Sequence, residues 1–377
     1  MAFEPNSTSA APGTGPPAGG TPLARPRWLP GRGPALALAA AALFGASTPA
    51  AKPLLGAVDP FVLAGLLYLG SGVGLGSWWI LARARRGGSE PPEAPLGRRD
   101  APWIAGAIAS GGVAAPLLLM WGLATTPAST ASLMLNLEGV LTAVLAWFVF
   151  REGFDRRIAI GMLAIAAGGV VLVGGGLAPG GSLWGPLAIV GACLGWALDN
   201  NLTRRVSGGD PVAIAALKGA IAGPVSLALG LGGGAAWPAW RSLLLGAAIG
   251  VVAYGVSLVL YVRALRELGT ARTGAYFSSA PFVGAALSLA FLGEPLSGSL
   301  AGAALLMGLG LYLHLTEHHA HWHTHEPVEH EHRHVHDDHH QHPHDGPVEE
   351  PHSHPHRHDP LPHSHPHYPD LHHRHRH

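Results

Sequence analysis

PASTASLMLNLEGVLTAVLAWFVFRE, the stretch from Pro127 to Glu152, decides the fold class. From Ser129 to Phe150 it is apolar except for a few small polar groups and one carboxylate, Glu138. At 1.5 Å per residue, about 20 such residues cross a hydrocarbon core of about 30 Å. A proline precedes the run and an Arg-Glu pair follows it, as expected of a segment leaving an apolar phase. Outward from it the same pattern recurs at 34–55, 61–82, 103–123, 158–175, 183–203, 211–232, 242–262, 273–292 and 297–316. The sequence therefore predicts an all-α integral membrane protein with ten transmembrane helices.

Composition agrees. Asp, Glu, Lys and Arg make up 12% of the 377 residues, about half the usual globular share. Formal net charge is zero, and no basic stripe offers a nucleic-acid partner. The single cysteine, Cys193, lies in an apolar run and is expected to be packed. Glycines such as Gly70, Gly72, Gly74 and Gly76 would be costly in an aqueous helix, but in lipid they let helices approach closely, and these four read as helix contacts.

Arginines give the orientation. With the amino terminus inside, sixteen of them (Arg25, Arg27, Arg32, Arg83, Arg85, Arg86, Arg98, Arg99, Arg151, Arg156, Arg157, Arg204, Arg205, Arg263, Arg266 and Arg272) fall on the inner side and only Arg241 on the outer. Short positive loops stay in the cytoplasm. The expectation is a multi-pass protein of a bacterial-type inner (plasma) membrane with both termini cytoplasmic.

The chain also repeats itself. Ala131–Val171 aligns with Thr273–Leu313 at an offset of 142 residues, which places Glu152 on Glu294. An offset of five helices inverts the second copy, so two inverted five-helix repeats are expected, with a site near the midplane between them. Four regions follow: a disordered lead at 1–33, the repeats at 34–175 and 183–316, and a disordered tail at 317–377.

The segment Pro127–Glu152, and its second copy from Gly269 to Pro281 and through Leu292-Gly293-Glu294-Pro295, resemble the fourth and ninth helices of EamA-type transporters in the drug/metabolite transporter superfamily. The resemblance extends over about residues 34–316 and implies a ten-helix, two-repeat transporter. Gly139 stands where that pattern usually has proline, and Arg151 where it has glycine.

Glu138 sits mid-span, where a carboxylate is costly and usually faces a cavity or a partner. Two readings stay open: a proton-coupling or substrate-binding group, or a protonated glutamate hydrogen-bonded to Asn136 or nearby backbone. The second copy has Ala280 at the matching place. Asp199, Asn200 and Asn201 close one span, and Lys218 lies within the next, at a depth that lets Asp199 and Lys218 pair. Trp121, Trp196, Tyr254, Tyr261 and Tyr276 are candidate cavity-lining aromatics.

Of the 25 histidines, 24 fall between Glu317 and His377, often alternating: His330, His332, His334, His336; His352, His354, His356, His358; His363, His365, His367. Neutral imidazoles on a flexible chain gather round Zn, Ni, Co or Cu, so the tail is expected to bind divalent metal through many interchangeable sites. No other cofactor is required, and no phosphate loop of the Walker type provides for ATP. The sequence supports a secondary transporter of a small solute. A divalent-cation transporter (Ni, Co or Zn) and a membrane-anchored metal store are the alternatives, and an enzyme is not expected. Partners are the lipid bilayer and a small-molecule or ion substrate, and a homodimer is compatible with the sequence.

Overall fold

A computed structural model describes residues 32–86, 97–98, 100–150, 156–176, 182–203, 210–268, 270–316 and four short tail strands. Eight helical stretches are long and apolar enough to cross a membrane: Arg32–Gly56, Pro60–Arg85, Ala101–Thr125, Ala128–Phe148, Arg156–Gly175, Val212–Gly232, Trp240–Ala264 and Thr273–Leu292. Two further helices, Trp184–Thr203 and Gly298–Leu315, occupy the remaining expected runs. They fall outside the eight, the first carrying Asp199-Asn200-Asn201 in its last two turns and the second apolar but shorter.

Local chemistry sets where helices start and bend. Asp59 accepts from the backbone N–H of Phe61 and Val62, and Asp210 from Val212 and Ala213. Each is a side-chain N-cap followed by a proline pre-set for the first helical turn. Pro116 cannot donate and crowds the carbonyl four residues earlier; the helix relieves this as a π segment over Ile108–Ala114. A second π segment, Gly250–Val256, starts 142 residues later and has no proline after it.

Within the expected spans 129–150 and 273–292 both helices are broken. Ala128–Met134 gives way to Leu137–Phe150, and Thr270–Phe277 to Ala280–Leu292. In the second copy Pro281 ends the first half-helix. The first copy lacks that proline, and there the Asn136 amide donates to the Leu133 carbonyl at 3.0 Å, competing for the helix's own acceptor.

The helices pair closely: Pro60–Arg86 with Pro211–Gly232, Arg156–Gly176 with Gly298–Leu315, Ala115–Thr125 with Trp184–Thr203, and Arg32–Gly45 with Ser257–Leu268. Glycines make this possible. A methyl on Gly72 would lie 2.5 Å from the Ala220 nitrogen, and one on Gly219 would lie 2.7 Å from Gly72. Gly70 abuts Ala247 and Gly74 abuts Val251, but Gly76 has nothing within 4 Å and is not a helix contact. Outward faces carry large apolar side chains such as Phe148, Leu163 and Phe291.

The body is all-helical. Among the described residues the only strands lie in the tail, where Ala320–Thr324 pairs with Pro362–Pro366 and Glu329–His334 with His352–Arg357, both antiparallel. The register sets His321 opposite His365, His323 opposite His363, His330 opposite His356, His332 opposite His354, and His334 opposite His352. The lead up to residue 31 and His336, His358 and His367 lie outside the described residues.

Candidate functional site

A polar network occupies the middle of the bundle. Its base is an ion pair: Lys218 Nζ donates to Asp199 Oδ1 at 2.6 Å and Oδ2 at 2.5 Å, with Asp199 side chain 8% exposed and Lys218 18%. Thr203 Oγ1 also donates to Asp199, at 2.8 Å. Both helices pack against the π segment Ile108–Ala114, and the ion pair across it joins residues nineteen apart in sequence.

Gly111, in the first π segment, is what lets Asp199 in. A methyl there would overlap the Asp199 carboxylate. Its carbonyl accepts from Tyr68 Oη and from Trp196 Nε1, each at 3.0 Å. A π segment leaves carbonyls without their usual helical partners, and these two side chains supply the bonds.

Glu138 stands one residue past the helix break, half-buried. Asn200 Nδ2 donates to its Oε1 at 2.9 Å and lies 3.3 Å from Thr142 Oγ1. Asn201, buried beside it, donates to the carbonyls of Ala197 and Thr142. Glu138 lies within electrostatic reach of both Asp199 and Lys218. Above the network is an aromatic wall: Tyr68 packs on Tyr254 at 5.7 Å between centroids, Tyr254 on Phe44 at 5.5 Å, Phe44 on Phe277 at 5.4 Å, and Phe277 on Tyr261 at 4.9 Å.

The structure thus gathers Glu138, Asp199, Asn200, Lys218, Trp196 and Tyr254 into one region. It does not bring in Asn136, whose amide turns to Leu133 and to Met307 Sδ at 3.8 Å rather than to Glu138. Tyr276 and Trp121 are exposed. Sequence reasoning missed Tyr68, Thr142, Phe44, Phe277 and Gly111. Only Gly111 left a signal, the Ser110-Gly111-Gly112 triplet upstream of Pro116. Among the described residues no three His, Cys, Asp or Glu side chains converge as a metal cluster.

An apolar-faced helical bundle with a charged centre, reached through broken and π-bulged helices, is a multi-pass membrane protein of transporter type. The chain belongs to the EamA-like transporter family, whose profile matches residues 31–174 and again 183–316. Members of that family are transporters and not enzymes. An uncharacterized transporter of Methanothermobacter thermautotrophicus is 31% identical over 206 residues, a match spanning 52% of this chain and 60% of the relative. A solved crystal structure superposes with a TM-score of 0.54 at 22% identity, covering 75% of this chain and 96% of that one. At that identity the likeness concerns the fold.

Proposed function

We propose that this transporter is a secondary carrier of a small solute, working by alternating access between two inverted repeats, with Glu138 as the carboxylate that binds substrate or the coupling proton. The half-buried Glu138 carboxylate carries this reading. It sits past a helix break, hydrogen-bonded to a neutral amide and beside an already neutralised Asp199–Lys218 pair. A mid-membrane carboxylate with no cation of its own is stable when protonated or when a cationic group arrives. Asn200 serves either state by pivoting its amide.

Several observations support the repeat reading. The two π segments and the two broken helices each start 142 residues apart. The helix pairings also survive exchange of each helix with its counterpart five helices away. Ten spans with both termini cytoplasmic, in a bacterial-type inner membrane, follow from the arginine bias. A reporter fused after His377 should be active in the cytoplasm, and periplasmic activity alone would reverse this orientation.

The carrier reading is tested in proteoliposomes holding a pH dye. A panel of amines, amino acids, organic anions and Ni, Co, Zn and Cu salts is added to the full chain and to E138Q. Some organic solutes should drive a proton flux that E138Q lacks. Undiminished flux in E138Q would remove Glu138 from the mechanism, and responses confined to metal salts would favour the divalent-cation alternative.

The tail is proposed to bind divalent metal beside the cytoplasmic mouth, and the histidine-on-histidine backbone register supports that reading. Imidazoles with a pKa near 6.5 are neutral ligands at pH 7.5 and protonated near pH 5. Retention on immobilised Ni should therefore fall steeply across that range. Truncation after Glu317 should abolish retention while leaving insertion intact.

A further inference from the structure

The two ends of the bundle differ in how they are held. At the end opposite the arginines, Thr125-Thr126-Pro127 forms a tight corner between two helices, and both helix ends need partners that the corner does not supply. Pro127 offers no side-chain cap to the helix Ala128–Met134. Glu294, from the loop after Leu292, provides it from 166 residues away: Oε1 accepts from the Ala128 N–H at 2.6 Å and Oε2 from the Ser129 N–H at 2.8 Å. The preceding helix is capped by Lys52, whose Nζ donates to the carbonyls of Leu123 at 2.5 Å, Thr126 at 2.8 Å and Ala124 at 3.3 Å. Each charge has the sign its helix end favours, negative at the N-terminus and positive at the C-terminus.

Beneath these two caps the helices close without free space. A methyl on Gly45 would overlap the Ala280 carbonyl. One on Gly284 would lie 2.7 Å from both the Gly45 oxygen and Ser132 Oγ, and one on Gly122 would lie 2.6 Å from the Gly185 oxygen. Among the described residues three buried hydroxyls lack a hydrogen-bond partner, Ser226 Oγ and, within this layer, Thr126 Oγ1 and Ser132 Oγ. A resting core seldom leaves hydroxyls so; a layer that periodically opens to water returns their bonds in the open state.

We infer that Lys52 and Glu294 are positioning residues that latch the Thr125–Pro127 corner shut, so that displacement of the 293–297 loop releases the broken helix leading to Glu138. The hydrogen bonds of Glu294 go to the start of that helix, and it acts on the site through it. The inference rests on the alternating-access reading, but its test needs no substrate and no active Glu138.

The test labels the full-length protein in proteoliposomes with a membrane-impermeant maleimide. The reporter is T126C in a C193A background, Thr126 being 3% exposed. With Lys52 and Glu294 intact the reporter should react slowly. E294Q and K52Q should each raise the rate by about tenfold, the loss of about 1.4 kcal/mol expected for charged hydrogen bonds. E294D, which keeps the charge but reaches less far, should fall between. A222C in the C193A background, fully buried on the helix Pro211–Gly232, serves as the core control in E294Q without T126C and should stay unlabelled. Should E294Q fail to fold, E294D and K52Q carry the test. Unchanged T126C labelling in folded variants overturns the latch, and so does a matching rise at A222C, because either shows caps that only stabilise the bundle.

Discussion

The two repeats share a backbone and divide the chemistry unequally. Both carry a π segment, a broken helix and an Asp-Pro helix start, Asp59-Pro60 in one and Asp210-Pro211 in the other. The charges of the central network do not match. Glu138 has Ala280 as its counterpart at the 142-residue offset, and at the 151-residue offset of the Asp-Pro starts Asp199 faces Thr48 and Lys218 faces Leu67. On the alternating-access proposal, helix bends must be duplicated for both halves to rearrange in mirror fashion, whereas one charged centre between them serves either access state. On that proposal the duplicated features are mechanical and the unduplicated ones chemical.

That division can be broken by substitution. The largest effect should come from K218M, which leaves Asp199 buried and charged without its cation. Removing one member of a buried pair costs about 3–5 kcal/mol, so the thermal midpoint in detergent should fall sharply, with much of it restored by adding D199N. A K218M protein as stable as the parent would show that the pair is hydrated. G111A should cost less, about 1–3 kcal/mol for forcing a methyl into a filled space, and should displace Asp199. The same assay reads it, and G112A, where the added carbon meets the Ala222 side chain at 3.1 Å, gives the comparison within one π segment.

Smaller again is N200A. It removes one hydrogen bond to Glu138 on an exposed residue, about 1 kcal/mol, and its main signature should be weaker solute-driven proton flux with little change in melting. A melting loss as large as that of K218M would make Asn200 a structural residue. The smallest effect is expected for G76A, whose site is empty within 4 Å; helix propensity favours alanine by about 0.5–1 kcal/mol, so stability should hold or rise slightly. G72A, facing Gly219 across a close helix contact, should be clearly destabilised, which separates glycines that pack from glycines that do not.

The amino-acid sequence by itself determined the phase the protein occupies, because apolar runs of spanning length and a near-absence of charge admit no other solvent for these helices. It also determined the duplication and the family, which residue identity and spacing carry. It showed Glu138, Asp199, Asn200 and Lys218 as anomalies, since a charge in an apolar run stands out wherever its partners lie. It could not choose Asn200 over Asn136 as the partner of Glu138. Asn136 is two residues away along the chain, but the helix break turns its amide to Leu133, and only the packing of two separate helices brings Asn200 within 2.9 Å. Nor could it assign Lys52 and Glu294 to helix ends 71 and 166 residues away. A helix terminus exposes the same unpaired groups in every sequence, and which distant charge satisfies them is decided by tertiary structure alone.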